Sequence, residues 1–227
     1  MSAREEMLGR IRGAVGKDRA ADAARAVDAR LAAHRTNLIP ARGQLAPEAK
    51  IELFETMARE ASATLTRVSS STDVPEAIAQ FLKRENLPSR IAMAPDPWLG
   101  ALGWERQPLL DIRRGRAEPS DEVGVTVAFA AIAETGTLML LSGPDAPTTL
   151  NLLPETSIVV LCAARVVGAY EEAWARLCEA RGGENGAVAM PRTVNFITGP
   201  SRSADIEQQL QMGAHGPRRL HIVLVDE

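Results

Sequence analysis

The chain has 227 residues, 45% of them hydrophobic, enough for one sizeable core, and a domain of this length buries about 70–75% of its unfolded surface. With 26 basic and 29 acidic residues, a net charge of −3, nothing in its overall charge draws it to nucleic acid or to an anionic membrane. Cys162 and Cys178 lack Cys-x-x-Cys spacing and cannot by themselves ligate an iron–sulfur cluster, no signal sequence opens the chain, and no apolar run reaches the roughly 18 residues that span a bilayer, so a cytoplasmic protein with reduced thiols is expected.

Residues 3–33 are charged and alanine-rich, with Met7, Ile11 and Val15 at four-residue spacing and Val27 and Leu31 repeating it. This is helical periodicity with a narrow apolar stripe, suited to packing on the chain's own surface or on a partner. Asn37 to Gln44, with Pro40 and Gly43, is polar and turn-rich, and divides the chain into an arm, residues 1–44, and a main domain, residues 45–227. From Pro47 the pattern alternates. Helices are predicted over about 47–62, 74–86, 169–181 and 203–212, and strands over about 64–68, 90–94, 124–130, 136–141, 157–162, 194–198 and 220–225. Such interleaving indicates an α/β domain around a mostly parallel sheet with flanking helices. Ile158-Val159-Val160-Leu161 and Ile222-Val223-Leu224-Val225 are continuous apolar runs, as central strands covered on both faces require.

Three segments could carry chemistry. In Ile132-Ala133-Glu134-Thr135-Gly136-Thr137, one acid and two threonines surround a glycine between apolar strands. A carboxylate there is costly to bury unless paired. Glu134 is therefore either a general base, nucleophile or acceptor at a mouth of the sheet, or an acid that fixes the turn. The second segment, Asn195 to Glu207, reads as a strand, a tight turn at Gly199-Pro200 and a helix beginning near Ser203. A helix start offers free N–H groups and a positive dipole end to phosphate or carboxylate, with Gly199 admitting the ligand and Ser201 or Ser203 capping or binding it. The alternative is a well-capped connection with no ligand. In the third, Gly213 stops that helix and His215 sits in a glycine-flanked loop, whereas His221 begins a strand and packs. With only three histidines, one of them His34 in the arm, no metal site is drawn. Nucleophile-elbow, zinc-protease and P-loop motifs are absent, and the tryptophans and phenylalanines are scattered without interleaved basic residues, which leaves no base-stacking platform.

Taken together, Ala133-Glu134-Thr135-Gly136-Thr137, Leu152-Leu153-Pro154-Glu155, the run Asn195 to Glu207 and Gly213-Ala214-His215-Gly216-Pro217 resemble the lactate-utilization protein C family, the LUD-domain family, over roughly residues 47–227. The resemblance implies a fold similar to ribose-5-phosphate isomerase, glucosamine-6-phosphate deaminase and the coenzyme A transferases, which bind phosphorylated sugars or acyl-coenzyme A at loops following the strands. It also implies a role in oxidising L-lactate to pyruvate beside iron–sulfur partner proteins, this chain being the member without a cluster or other cofactor of its own. On that basis the candidate catalytic residues are Glu134 and His215. The candidate ligand-binding residues, for a small anionic metabolite, are Thr135, Gly136, Thr137, Ser142, Asn195, Thr198, Gly199, Ser201, Arg202 and Asp205. The chain departs from the family pattern at Asp145 to Asn151, where an arginine and a serine are common, and at Ser157, where a histidine is common; both changes bear on the ligand rather than the fold. Two other roles remain open: a non-catalytic assembly or metabolite-sensing module, and a transferase or ligase for a coenzyme A or nucleotide substrate.

Overall fold

The computed structural model describes residues 2–15, 17–33, 38–182, 188–204, 210–213 and 215–227. The chain divides into two units, Met1–Leu38 and Ile39–Glu227. The first contains helices α1 (Ala3–Val15) and α2 (Lys17–Ala33). Among the described residues no helix is long and apolar enough to cross a membrane.

The second unit follows the order α3 (Pro47–Glu60), β1 (Thr64–Val68), α4 (Val74–Arg84), β2 (Arg90–Met93), α5 (Pro97–Gly100), β3 (Asp111–Arg114), β4 (Val123–Val127), β5 (Ala130–Ile132), β6 (Thr137–Leu141), α6 (Thr149–Leu152), β7 (Thr156–Cys162), β8 (Val166–Val167), α7 (Tyr170–Arg181), β9 (Val194–Ile197), β10 (Arg202–Ala204), β11 (Leu210–Met212) and β12 (Arg219–Val225). Six strands form one sheet in the order β1-β12-β7-β4-β2-β3, every pair parallel. The two continuous apolar runs, β7 and β12, lie inside it, as their composition predicts.

Strand periodicity divides the core in two. Ile158, Val160, Val223 and Val225 pack on one face with Ile78 and Phe81 of α4, while Val159, Leu161, Ile222 and Leu224 pack on the other with Phe54 and Ala58 of α3. On that second face lies a smaller sheet, β8-β5-β6-β9, with β5–β6 and β6–β9 antiparallel. The same alternation sends Leu138 and Leu140 toward the large sheet and Met139 toward Ala173 and Leu177 of α7.

Two sequence expectations are corrected. The strand predicted over 124–130 is two strands in two sheets. Ala128 N–H still donates to Val160 O of the large sheet (2.9 Å), whereas Phe129 N–H donates to Met139 O of the small one (2.9 Å). An unbroken apolar run reads the same whether the chain stays in one sheet or steps to the next. The helix predicted over 203–212 is absent at both described ends of that range. Ser203 pairs with Gln211 and Ala204 with Leu210 in an antiparallel ribbon, β10–β11. Tertiary hydrogen bonds override the local propensity: Gly213 N–H donates to Ser201 O (3.0 Å) and Ser201 N–H to Pro217 O (2.8 Å), so this backbone is committed to its own return leg. Gly213 thus closes a ribbon rather than stopping a helix.

Candidate functional site

The turn from Ala133 to Gly136 joins β5 to β6, and it is held against the last turn of α3 by the absence of a side chain. Gly136 has φ +66°, and a Cβ there would stand 2.4 Å from Ala58 N. Gly199 repeats the arrangement: φ is +70° and a Cβ would lie 2.0 Å from Ala61 O. Both positions need glycine for conformation and for space. Arg202 also donates to Ala61 O (2.7 Å), satisfying a carbonyl at the end of α3.

With the two turns docked side by side, their hydroxyls meet. Thr137 Oγ1 lies 2.6 Å from Thr198 Oγ1, 2.7 Å from Thr135 Oγ1 and 3.0 Å from the Tyr170 hydroxyl, which is 3.3 Å from Thr135 Oγ1. The buried Thr137 is therefore fully engaged, a closed network that locks the turns together. Tyr170 was missed in the sequence, although it is the only tyrosine in the chain. Glu134 is buried, its N–H donates to Gly168 O (3.1 Å), and among the described residues its carboxylate has no hydrogen-bond partner.

Beside this network a cleft of about 260 Å³ opens between the loop that follows β9 and the amino-terminal ends of β7 and β12. Its polar lining is Asn151, Ser157, Thr198, Ser201, Arg202 and His215, with Leu152, Phe196 and Leu220 among its apolar walls. The cleft thus follows a strand of the small sheet, but lies at the starts of the central parallel strands rather than at the ends that ligands of open α/β sheets favour. His215 is exposed, and its N–H donates to Ser201 Oγ (3.3 Å).

Asn151 and Ser157 are only 3% and 1% exposed, and Asn151 Oδ1 and Ser157 Oγ have no hydrogen-bond partner. A buried polar atom without a partner costs about 1–3 kcal/mol, so two on one cleft wall require an explanation. Neither was among the candidate ligand-binding residues, although the departures from the family pattern at Asp145 to Asn151 and at Ser157 had pointed to the ligand. A larger groove of about 510 Å³ between α4 and residues 107–110 has no such atom on its wall. His221 Nε2 is also unpartnered, but that ring is fully buried, stacked 3.8 Å from Phe81, with Nδ1 2.8 Å from Thr64 Oγ1. Burial, aided by the Arg84 guanidinium, holds its pKa down to about 3.

The candidate residues therefore fall into groups. Thr198, Gly199, Ser201, Arg202 and His215 share the cleft. Thr135 and Thr137 reach it only through Thr198, and neither Glu134 nor Gly136 lines it. Ser142 closes the far end of the β6–β9 pair, its Oγ accepting from Thr193 N–H (2.8 Å), and Asn195 pairs with Leu140 within the sheet. Asp205 lies outside the described residues. Since no helix begins near Ser203, the anion site predicted at a helix start loses that basis. Among the described residues no group of three His, Cys, Asp or Glu side chains is placed to hold a metal.

A family model described as the LUD domain matches residues 111–225. Similar curated proteins include lactate utilization protein C of Geobacillus thermodenitrificans, 38% identical over 50% of this chain and 47% of that protein. The protein of the same name from Bacillus subtilis is 36% identical over 46% of this chain and 42% of its own length. The chain spans about half the length of the curated relatives it matches. A crystal structure of a duf162 family protein from Deinococcus radiodurans superposes with a TM-score of 0.56 over 80% of this chain and 99% of that one, at 24% identity, and shows likeness of fold.

Proposed function

The chain belongs to the LUD-domain family, and on that premise we propose that it serves lactate utilization as the cluster-free subunit of an L-lactate-oxidising system whose iron–sulfur clusters reside in partner proteins. Its own part is to bind a small anionic metabolite in the cleft beside Thr198. The observation that carries this is the lining: among the described residues Arg202 and His215 are there, no Asp or Glu contributes, and two buried polar atoms on its wall lack partners. A volume of about 260 Å³ falls below the roughly 300–1,000 Å³ of sites for drug-sized ligands, which favours a compact metabolite over the whole of coenzyme A or a nucleotide.

One observation favours binding over catalysis as this subunit's role. His215 lines the cleft and Glu134 does not, so an acid–base pair of these two has no shared substrate position to act on. The test is anaerobic, dye-coupled L-lactate oxidation by the iron–sulfur partners, with the chain omitted, added, or added as Glu134→Gln. Dependence on the chain with equal restoration by the variant is expected. Restoration by the native chain alone would make Glu134 the working acid, and no dependence at all would remove the chain from the reaction.

A further inference from the structure

Ser157 is the second residue of β7 and lies on the strand face shared by Val159 and Leu161, directly paired across the ladder with Leu220. Asn151 is held above it by α6, which packs so closely on β4 that a Cβ at Gly124 would stand 2.8 Å from Leu150 O and 2.9 Å from Pro154 Cγ. Both residues line the cleft, as do the apolar Leu152 and Leu220. Nearby, Thr149 Oγ1 accepts from Ala117 N–H (3.0 Å), and Thr137 Oγ1 has three hydroxyl partners. Other buried side-chain atoms also lack partners among the described residues, Thr156 Oγ1 and His221 Nε2 among them, but Asn151 Oδ1 and Ser157 Oγ are the two whose residues line the cleft.

We infer that Asn151 and Ser157 determine specificity by hydrogen-bonding a hydroxyl or carbonyl group of a compact carboxylate, whose charged end lies toward Arg202 and His215. This assignment rests on the anion-binding role proposed above and adds the ligand's second functional group. The chemistry follows from the donors and acceptors present. The carboxamide and the hydroxyl are uncharged and can both give and accept, so they match a neutral polar group; a carboxylate buried against them would lose its hydration without gaining a cation. The Arg202 and His215 side chains are exposed, where a carboxylate can keep part of its water. A site built to bond a hydroxyl rejects an analogue lacking it, because the site's own polar atoms are then left bare again.

The test uses three ligands on the full-length chain, measured by titration calorimetry. L-Lactate has both groups, propionate lacks only the hydroxyl, and L-lactamide keeps the hydroxyl and loses the charge. Wild type should bind L-lactate about tenfold or more tightly than either analogue. Ser157→Ala and Asn151→Ala should each bring the lactate-to-propionate ratio to within about twofold of unity. Ser157→Ala removes a single buried atom that bonds to nothing in the protein, so its melting temperature should equal or exceed the wild-type value; Asn151→Ala can then be omitted if it folds poorly. Equal affinity for lactate and propionate, binding of lactamide as tight as that of lactate, a ratio unchanged in Ser157→Ala, or no binding of any of the three would each overturn the assignment. Chain-dependent lactate oxidation together with a ratio near unity would refute it and leave the proposed function standing. A high ratio without chain dependence would do the reverse.

Discussion

The hydroxyls around Thr137 and the polar pair at Asn151 and Ser157 are neighbours joined through Thr198, yet one set is closed on itself and the other is open. Every hydroxyl of the first has a partner within 3.3 Å; the second has two buried atoms with none. A satisfied network rigidifies, and Thr137 Oγ1, with three hydroxyl partners, has no capacity left for a ligand. An unsatisfied pair on a cleft wall costs stability until something binds. Thr135 and Thr137 of the sequence motif belong to the closed set, and through Thr198 they are tied to the loop that lines the cleft.

The contrast can be broken most forcefully through the turn itself. Gly136→Ala should destabilise by about 3–4 kcal/mol, combining a left-handed backbone with a Cβ 2.4 Å from Ala58 N, while Gly143→Ala, with nothing within 4 Å, should change stability by less than about 0.5 kcal/mol; urea unfolding compares them. Next in size is acid. His221 is unpartnered like the cleft pair but lines no cavity, so its effect is on stability alone. Its folded pKa lies below the ordinary 6.5, the unfolded chain binds the extra proton, and stability present above pH 6.5 is lost as the pH falls toward 3. Roughly 2 kcal/mol should be gone by pH 5, and His221→Gln should flatten that slope in unfolding titrations.

Smaller effects separate the two polar sets directly. Thr137→Val should cost about 1–2 kcal/mol, since it strips a partner from Thr135, Thr198 and Tyr170 at once. Ser157→Ala should be no less stable than wild type and up to about 1–3 kcal/mol more stable, because no protein hydrogen bond is lost and an unpartnered buried oxygen is removed.

Much of the fold was legible because it depends on period and composition. β7 and β12 announced their central places by unbroken apolar runs, and α3, α4 and α7 by 3.6-residue spacing. The turn glycines at 136 and 199 were legible as turns, but their contact with α3 was not, since the sequence carries no trace of which backbone lies 2–3 Å away. The step between sheets at Ala128-Phe129 and the ribbon at 202–212 escaped for a related reason: both are decided by partners far along the chain. Asn151 and Ser157 were legible as departures from the family pattern, but not as an unpartnered pair, because a missing partner exists only once the surroundings are assembled.

The decisive measurement takes melting temperature and L-lactate affinity together on wild type, Thr137→Val and Ser157→Ala. If the closed set is structural and the open set binds ligand, Thr137→Val lowers the melting temperature while, well below it, affinity stays within about twofold of wild type. Ser157→Ala then keeps or raises the melting temperature and loses about tenfold in affinity. Loss of affinity in Thr137→Val with none in Ser157→Ala would contradict this and move the ligand from the cleft floor to the threonine turn.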